Sequence, residues 1–210
     1  SNCAVSGSIN VNCPNYVKVN NTDQEFATGG LVGYAENVDV ANCVNEASIE
    51  IVQILKESEA YKTYPCIGGI VGYAAAGADT ENPGSISNCT NSSYLRFRGG
   101  TRIASVGGIV GLTQVGVSHC ENTANLTIGG GQHRYGTGFG GVVGSVDKGA
   151  DLTHLVNRGT IHVNAKYLTM IAGGIVGKGS SESYVGYCEN YGPVTVSAAR
   201  DQYQNSSNQL

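Results

Sequence analysis

The sequence predicts an all-β protein: a right-handed parallel β-helix (β-solenoid) of about five coils, with 33–39 residues per repeat. Three observations predict it. A five-residue block, Gly-Gly-[Ile/Leu/Val]-Val-Gly, stands at Gly29–Gly33, Gly68–Gly72, Gly107–Gly111, Gly140–Gly144 and Gly173–Gly177, with starts 39, 39, 33 and 33 residues apart. A second block, apolar-x-x-Cys-x-Asn-x-small-x-apolar-x-apolar, runs between the copies of the first. The composition is rich in Gly and in Asn, without Trp, and only 13% charged against about 25% in an average soluble domain.

The second block reads Val40-x-x-Cys43-x-Asn45-x-Ala47-x-Ile49-x-Ile51 in its first full copy. It recurs around Cys89-x-Asn91, Cys120-x-Asn122, Leu155-x-Asn157 and Cys188-x-Asn190, and a partial copy opens the chain at Cys3, with Val5 in the Asn position. Its second half alternates apolar and polar residues, as in Leu126-Thr127-Ile128 and Ile161-His162-Val163. Period-2 alternation of β-branched and aliphatic residues marks a strand with one face buried. About three short strands per repeat are expected. Helical repeats are excluded by the alternation and the glycine. A propeller blade would need hairpin turns, and no Asn-Gly or Asp-Gly pair joins consecutive strands. Parallel coils stacked at ~4.8 Å place like residues on like, which explains the repetition: aliphatics form a dry core and Asn forms an amide ladder. The right-handed sense follows from the general crossover rule.

Within the glycine block, Ile70 and Val71 are neighbours and both columns are apolar in every copy. A strand would send them to opposite faces, so a bend that turns both inward is expected. Ile51–Lys62, "IVQILKESEAYK", lies in one of the longer repeats and is the best helical candidate, an inserted excursion. The domain is expected to span residues 1–196, followed by a polar tail at 197–210.

Cys3, Cys43, Cys89, Cys120 and Cys188 share one repeat position, and Leu155 fills it in the fourth unit. A position that accepts Cys or Leu is a buried apolar position, so a thiol ladder in the core is expected rather than a disulfide framework. Cys13 and Cys66 fall off the ladder, where they could pair or remain thiols.

The net charge of −4 and the absence of basic runs give no reason to expect nucleic acid. No apolar run approaches the ~18 residues of a membrane span. No leader is legible at Ser1-Asn2-Cys3, so localisation rests on the kind of repeat.

The blocks "GGLVG" at Gly29–Gly33 and "GGIVG" at Gly68–Gly72, each coupled to an Asn-Cys-x-Asn block, resemble the GLUG-motif repeats of bacterial surface and secreted proteins. Such repeats occur in adhesin-like proteins and beside the peptidase domain of immunoglobulin A-cleaving metallopeptidases. The resemblance spans nearly the whole chain and implies a secreted or cell-surface location. It carries over no catalytic residue, and no His-Glu-x-x-His is present.

No catalytic, cofactor or metal residue is expected. Glu121 and Glu189 share a column two coils apart, ~10 Å, with Val156 between them. His119 and His154 precede the ladder position in consecutive units and are expected to be neighbouring turn residues. Tyr34 and Tyr73 follow the glycine block in consecutive units and are the candidate ligand contacts, as an aromatic stripe that could stack on a sugar. The function expected is a non-enzymatic extracellular or cell-surface adhesin-like module that binds a macromolecule or glycan through its loops. The alternatives are a carbohydrate-active β-helix, such as a polysaccharide lyase or hydrolase, and a structural spacer or filament segment. Further solenoid repeats or an end-to-end stacked copy are the other partners the sequence suggests.

Overall fold

In a computed structural model of the chain, residues 2–13, 24–53, 63–78, 81–99, 104–129, 137–147, 149–165 and 170–198 are described. They form short strands only, in the order β1 (Cys3–Val5), β2 (Ser8–Cys13), β3 (Gln24–Gly29), β4 (Val32–Glu36) and β5 (Asp39–Ala41). The same five recur as β6 (Cys43–Asn45), β7 (Ser48–Gln53), β8 (Thr63–Gly68), β9 (Val71–Ala75) and β10 (Ser85–Ser87), and so on along the chain. Each strand pairs in parallel with its counterpart one coil away, giving two six-stranded and three five-stranded sheets. The β-solenoid expected from the alternation is therefore the architecture.

Each coil holds five short strands rather than about three. Its second full turn can be followed as a corner strand (Cys43–Asn45), a wall strand (Ser48–Gln53), two arms (Thr63–Gly68 and Val71–Ala75) and a return strand (Ser85–Ser87). The extra strands arise where the chain breaks direction. The glycine block splits one apolar run into two arms, and a residue with left-handed backbone separates each return strand from the next corner strand. That residue is Asn42 (φ 54°), Asn88 (51°), His119 (53°), His154 (53°) or Tyr187 (57°). Asn is the side chain best suited to this region after Gly, because it can hydrogen-bond locally.

The register fixes what stacks on what. On the wall, Ile9, Ile49, Leu95, Leu126, Ile161 and Val194 form one column, and Val11, Ile51, Phe97, Ile128, Val163 and Val196 the next. Three apolar layers fill the coil. One packs the wall against the first arm, with Ile49, Ile51, Phe97, Ile67, Val106 and Phe139 buried together. The second packs the second arm and the glycine turn against the return and corner strands, through Ile70, Val71, Ile86, Val117, Leu152 and the corner cysteines. The third lies between the two arms: Cys66, Tyr73 and Ala75, with Ala27 and Leu112 against them. The two arms thus form an arch that projects into the coil, its tip being the glycine block.

The expected bend is present. The first arm ends at Gly68, the second begins at Val71, and both Ile70 and Val71 are fully buried in the same cluster. Even the turn is hydrogen-bonded between coils: Ile70 N–H and Val71 N–H both donate to Ile109 O, at 2.9 and 3.0 Å. The glycines are demanded by close approach. A Cβ on Gly69 would lie 2.0 Å from Gly108 O and 2.4 Å from Asn91 Cγ. One on Gly72 would lie 2.5 Å from Thr28 N, in the first arm of the preceding coil. The tip of each arch therefore rests on the Asn column, which is why the two sequence blocks always occur together.

Of the expected helical excursion, Ile51–Gln53 is the end of the wall strand β7 and residues 54–62 lie outside the described residues. The last wall strand, Val194–Ala198, runs past the expected domain edge at 196, and residues 199–210 lie outside the described residues.

Candidate functional site

Three ladders run along the corner of the solenoid. The innermost is the amide ladder. Asn45 Nδ2 donates to Asn91 Oδ1 at 2.8 Å, Asn91 to Asn122 at 3.0 Å, Asn122 to Asn157 at 2.8 Å and Asn157 to Asn190 at 2.8 Å. The second amide hydrogen of Asn45, Asn122 and Asn157 goes to the carbonyl two residues on, at 2.9–3.1 Å. Asn45, Asn91, Asn122 and Asn157 are fully buried, so this network carries the polar cost of the corner inside the core.

Next to it runs the thiol column. Cys43, Cys89, Cys120 and Leu155 are buried, as expected from their shared position, while Cys3 is exposed and Cys188 partly so. The thiols of Cys43, Cys89, Cys120 and Cys188 each donate to the carbonyl two residues back, at 3.2 Å in every case. Cys89 and Cys120 interact directly, and Cys89 N–H also points at Cys120 Sγ at 3.5 Å. Contact with the Cys120 thiol lowers Cys89, and the same contact, with burial, holds Cys120 well above the ordinary thiol range. Burial pushes Cys43 up. Cys66 is buried between the arms with its thiol 3.6 Å from Tyr64 O. The side chain of Cys13 lies outside the described residues, and so does its pairing with Cys66.

The outermost ladder is aromatic. His119 and His154 are neighbours, as expected, with rings 4.5 Å apart and 4° from parallel. Tyr187 continues the stack at 5.1 Å and 18°. All three occupy the left-handed corner position and are exposed, Tyr187 by 76%. Rings stacked face to face direct their nitrogen lone pairs outward in parallel planes, so the two histidines do not converge on one ion. Among the described residues, no three His, Cys, Asp or Glu side chains gather as metal ligands do.

Beside the rings, on the outer face of the corner strands, lies a charged group. Arg158 Nε meets Glu121 Oε1 at 2.6 Å, and its guanidinium sits 4.8 Å over the Tyr191 ring. The Tyr191 hydroxyl donates to Glu189 Oε2, which raises the phenol above its ordinary range. Glu121, Val156 and Glu189 stack in one column as expected. Each of these carboxylates has a dedicated partner, Arg158 across the coils for Glu121 and Tyr191 within its own coil for Glu189. That is the arrangement of a surface network rather than of an acid–base pair facing a bond.

The two sequence candidates divide. Tyr34 and Tyr73 are register partners with rings 5.4 Å apart, edge to face. Tyr34 is 52% exposed, with its hydroxyl 2.8 Å from Glu36 Oε2, whereas Tyr73 is only 8% exposed, packed between the arms. Only Tyr34 offers a ring to the solvent. The alignment of repeats had picked out the two histidines but not Tyr187, which the same column contains, nor Arg158 and Tyr191, which share the column after the ladder Asn. That column holds Glu46, Ser92, Thr123, Arg158 and Tyr191, and its only signal is the concentration of large side chains in the last two coils.

Searches of curated proteins and of solved structures returned no match. Among family models, the GLUG motif matches at residues 63–93, which hold both arms of the second full coil, its Gly68–Gly72 tip and the Cys89–Asn91 corner. Residues 63–93 thus match a GLUG motif, and the other coils repeat the strands of that stretch in register.

Proposed function

We propose that the protein is a non-enzymatic, extracellular or cell-surface adhesin-like module, a rigid rod that binds a glycan or a neighbouring macromolecule on the aromatic strip of its corner. The observation that carries this reading is the outer strip of His119, His154 and Tyr187, flanked by Glu121, Arg158, Glu189 and Tyr191. Apolar ring surface next to polar groups held in place by their own hydrogen bonds is the usual make-up of a sugar- or protein-binding face. The location is supported by the surface and secreted proteins in which GLUG-type repeats occur. The strip is favoured over the loops because its side chains are positioned by stacking rather than by loop conformation.

A glycan array read together with a turbidity assay on uronate polymers tests the proposal. Binding without cleavage is expected, with a loss on the order of tenfold in affinity for both Tyr187→Ala and Tyr191→Ala, as befits an exposed aromatic contact. Cleavage of a polymer would replace this reading with an enzymatic one. Neither binding nor cleavage would leave the rod as a spacer.

A further inference from the structure

The outer face of the wall carries a charge that the chain as a whole does not. Residues 82–181 hold eight Lys and Arg against three Asp and Glu, in a chain of net charge −4. The three acids are Glu121 on a corner strand, Asp147 just past a second arm and Asp151 on a return strand. Two of the bases, Arg96 and Arg98, are on the third wall strand, Leu95–Gly99. Leu95 and Phe97 are buried, so by alternation both guanidinium groups stand on the outer face, ~6.6 Å apart along the strand. The strand lies inside its sheet, with Ser48–Gln53 on one side and Leu126–Gly129 on the other. Glu50 is the one acidic residue in the six wall strands. It meets Arg96 at 3.4 Å, but Arg96 Nε is buried with no hydrogen-bond partner, so that charge is only partly compensated. Arg98 is exposed and joins no ion pair among the described residues. Exposed Tyr94, the outward residue before Arg96, adds an aromatic ring at the end of the row. The next coil leaves a notch. Gly129 is the register partner of both Arg98 and Asn164, so the middle position of that outer column has no side chain. A Cβ there would meet only Asn164 O, at 3.3 Å, so the space outside it is open. Thr127 and His162 occupy the column alongside, in register with Arg96. The notch is ~9.5 Å long, bordered by a guanidinium, a hydroxyl, an imidazole and an amide.

We propose that this wall face binds an anionic polysaccharide, with its carboxylate or sulfate groups on Arg96 and Arg98 and a sugar ring seated in the notch at Gly129. A guanidinium offers paired donors that match the oxygens of either anion. Thr127, His162 and Asn164 supply donors and acceptors for sugar hydroxyls, and the Tyr94 ring takes the apolar face of a neighbouring sugar. An acidic polypeptide would engage the two charges but leave the hydroxyl-binding border of the notch idle, which is why a glycan is the favoured ligand. The face is built on other strands than the corner strip with His119, His154 and Tyr187, so the two sites stand or fall separately.

The test is titration calorimetry of the whole chain with polygalacturonate, dextran sulfate and neutral dextran, at low and at high salt. Binding to at least one of the two anionic polymers is expected, weakening as salt rises, with none to neutral dextran. Polygalacturonate marks the ligand group as a carboxylate and dextran sulfate as a sulfate. Arg98→Gln removes one guanidinium and Thr127→Glu sets an anion beside the notch. Each should lower affinity on the order of tenfold, with circular dichroism unchanged. Lys178→Ala removes the same charge from a second arm and should leave affinity unaltered. The proposal is overturned if neither anionic polymer binds, or if Lys178→Ala weakens binding as much as Arg98→Gln, which would leave only net charge at work. It is also overturned if polyglutamate or DNA binds as tightly as the anionic polysaccharide, since the notch would then read no sugar.

Discussion

Replacing Asn122 with Ala removes the middle rung of the amide ladder. Four hydrogen bonds go with it: from Asn91 Nδ2 at 3.0 Å, to Asn157 Oδ1 at 2.8 Å, to Ala124 O at 3.0 Å and from Ala124 N–H at 3.3 Å. Two of these leave buried donors, on Asn91 and on the Ala124 backbone, with nothing to donate to. Each such orphan costs ~1–3 kcal/mol, and two weakened acceptors add less, so Asn122→Ala should lose about 3–6 kcal/mol. The same change at Asn190 should lose only about 1 kcal/mol, since Asn190 is exposed and water replaces its bonds to Asn157 and Gly192. Urea unfolding followed by far-ultraviolet circular dichroism measures both. Because coils contact only their neighbours, a broken central rung should also lower the denaturant slope, as the two halves begin to unfold separately. A loss below about 1 kcal/mol at Asn122, or equal losses at Asn122 and Asn190, would show that the ladder does not hold the corner together.

Gly69→Ala drives a methyl group into Gly108 O and the Asn91 amide and should cost at least ~3 kcal/mol, whereas Gly179→Ala meets nothing within 4 Å and should fall within ~0.5 kcal/mol of neutral; thermal unfolding separates them. The Tyr191 phenol, held up by its hydrogen bond to Glu189, should titrate above the ordinary phenol range in an ultraviolet pH titration, and Glu189→Ala should bring it back. Since that pKa is raised on folding, the contact contributes below the ordinary phenol value of ~10 and fades as pH rises through the folded one. His154→Asn trades a stacked ring for the side chain better suited to φ 53°. The two ring contacts, to His119 and Tyr187, are together worth ~1–3 kcal/mol and the relief of backbone strain a similar amount, so stability should stay nearly constant while binding to the strip falls; a large loss of stability with binding intact would make the ring a structural element.

How much of this was legible in the sequence depends on how many faces of each strand are buried. The wall strands bury one face, so Ile49-x-Ile51 and Leu126-x-Ile128 alternate cleanly and were readable as strands. Columns of identical chemistry, the Asn and Cys positions above all, revealed the stacking before any coordinate did. The arms were not separable. Val71–Ala75 is buried throughout, because one face meets the return strands and the other meets the first arm. A strand buried on both faces has no alternation to show, and a glycine turn inside it reads as part of the same apolar run. That is also why Tyr73 looked like a partner for Tyr34 on an open stripe: the sequence contains nothing to say that the first arm folds over it.

The corner shows where stability alone does not account for the residues chosen. The first two full coils place Asn at the left-handed position, at Asn42 and Asn88, and the next three place His119, His154 and Tyr187 there. For a ring this backbone is a strained choice of order ~1–3 kcal/mol, most of all for Tyr. The strain is offset by stacking only if the rings occupy successive coils, since one ring between two asparagines would have no face to meet. The substitution is therefore cooperative along the axis, and in this chain it coincides with the coils that also carry Arg158 and Tyr191. The two neighbouring columns enlarge together over the last two coils, while the amide ladder directly beneath them continues unaltered through Asn122, Asn157 and Asn190. A scaffold left constant under a surface that changes column by column separates the part of each repeat that builds the rod from the part free to acquire a ligand.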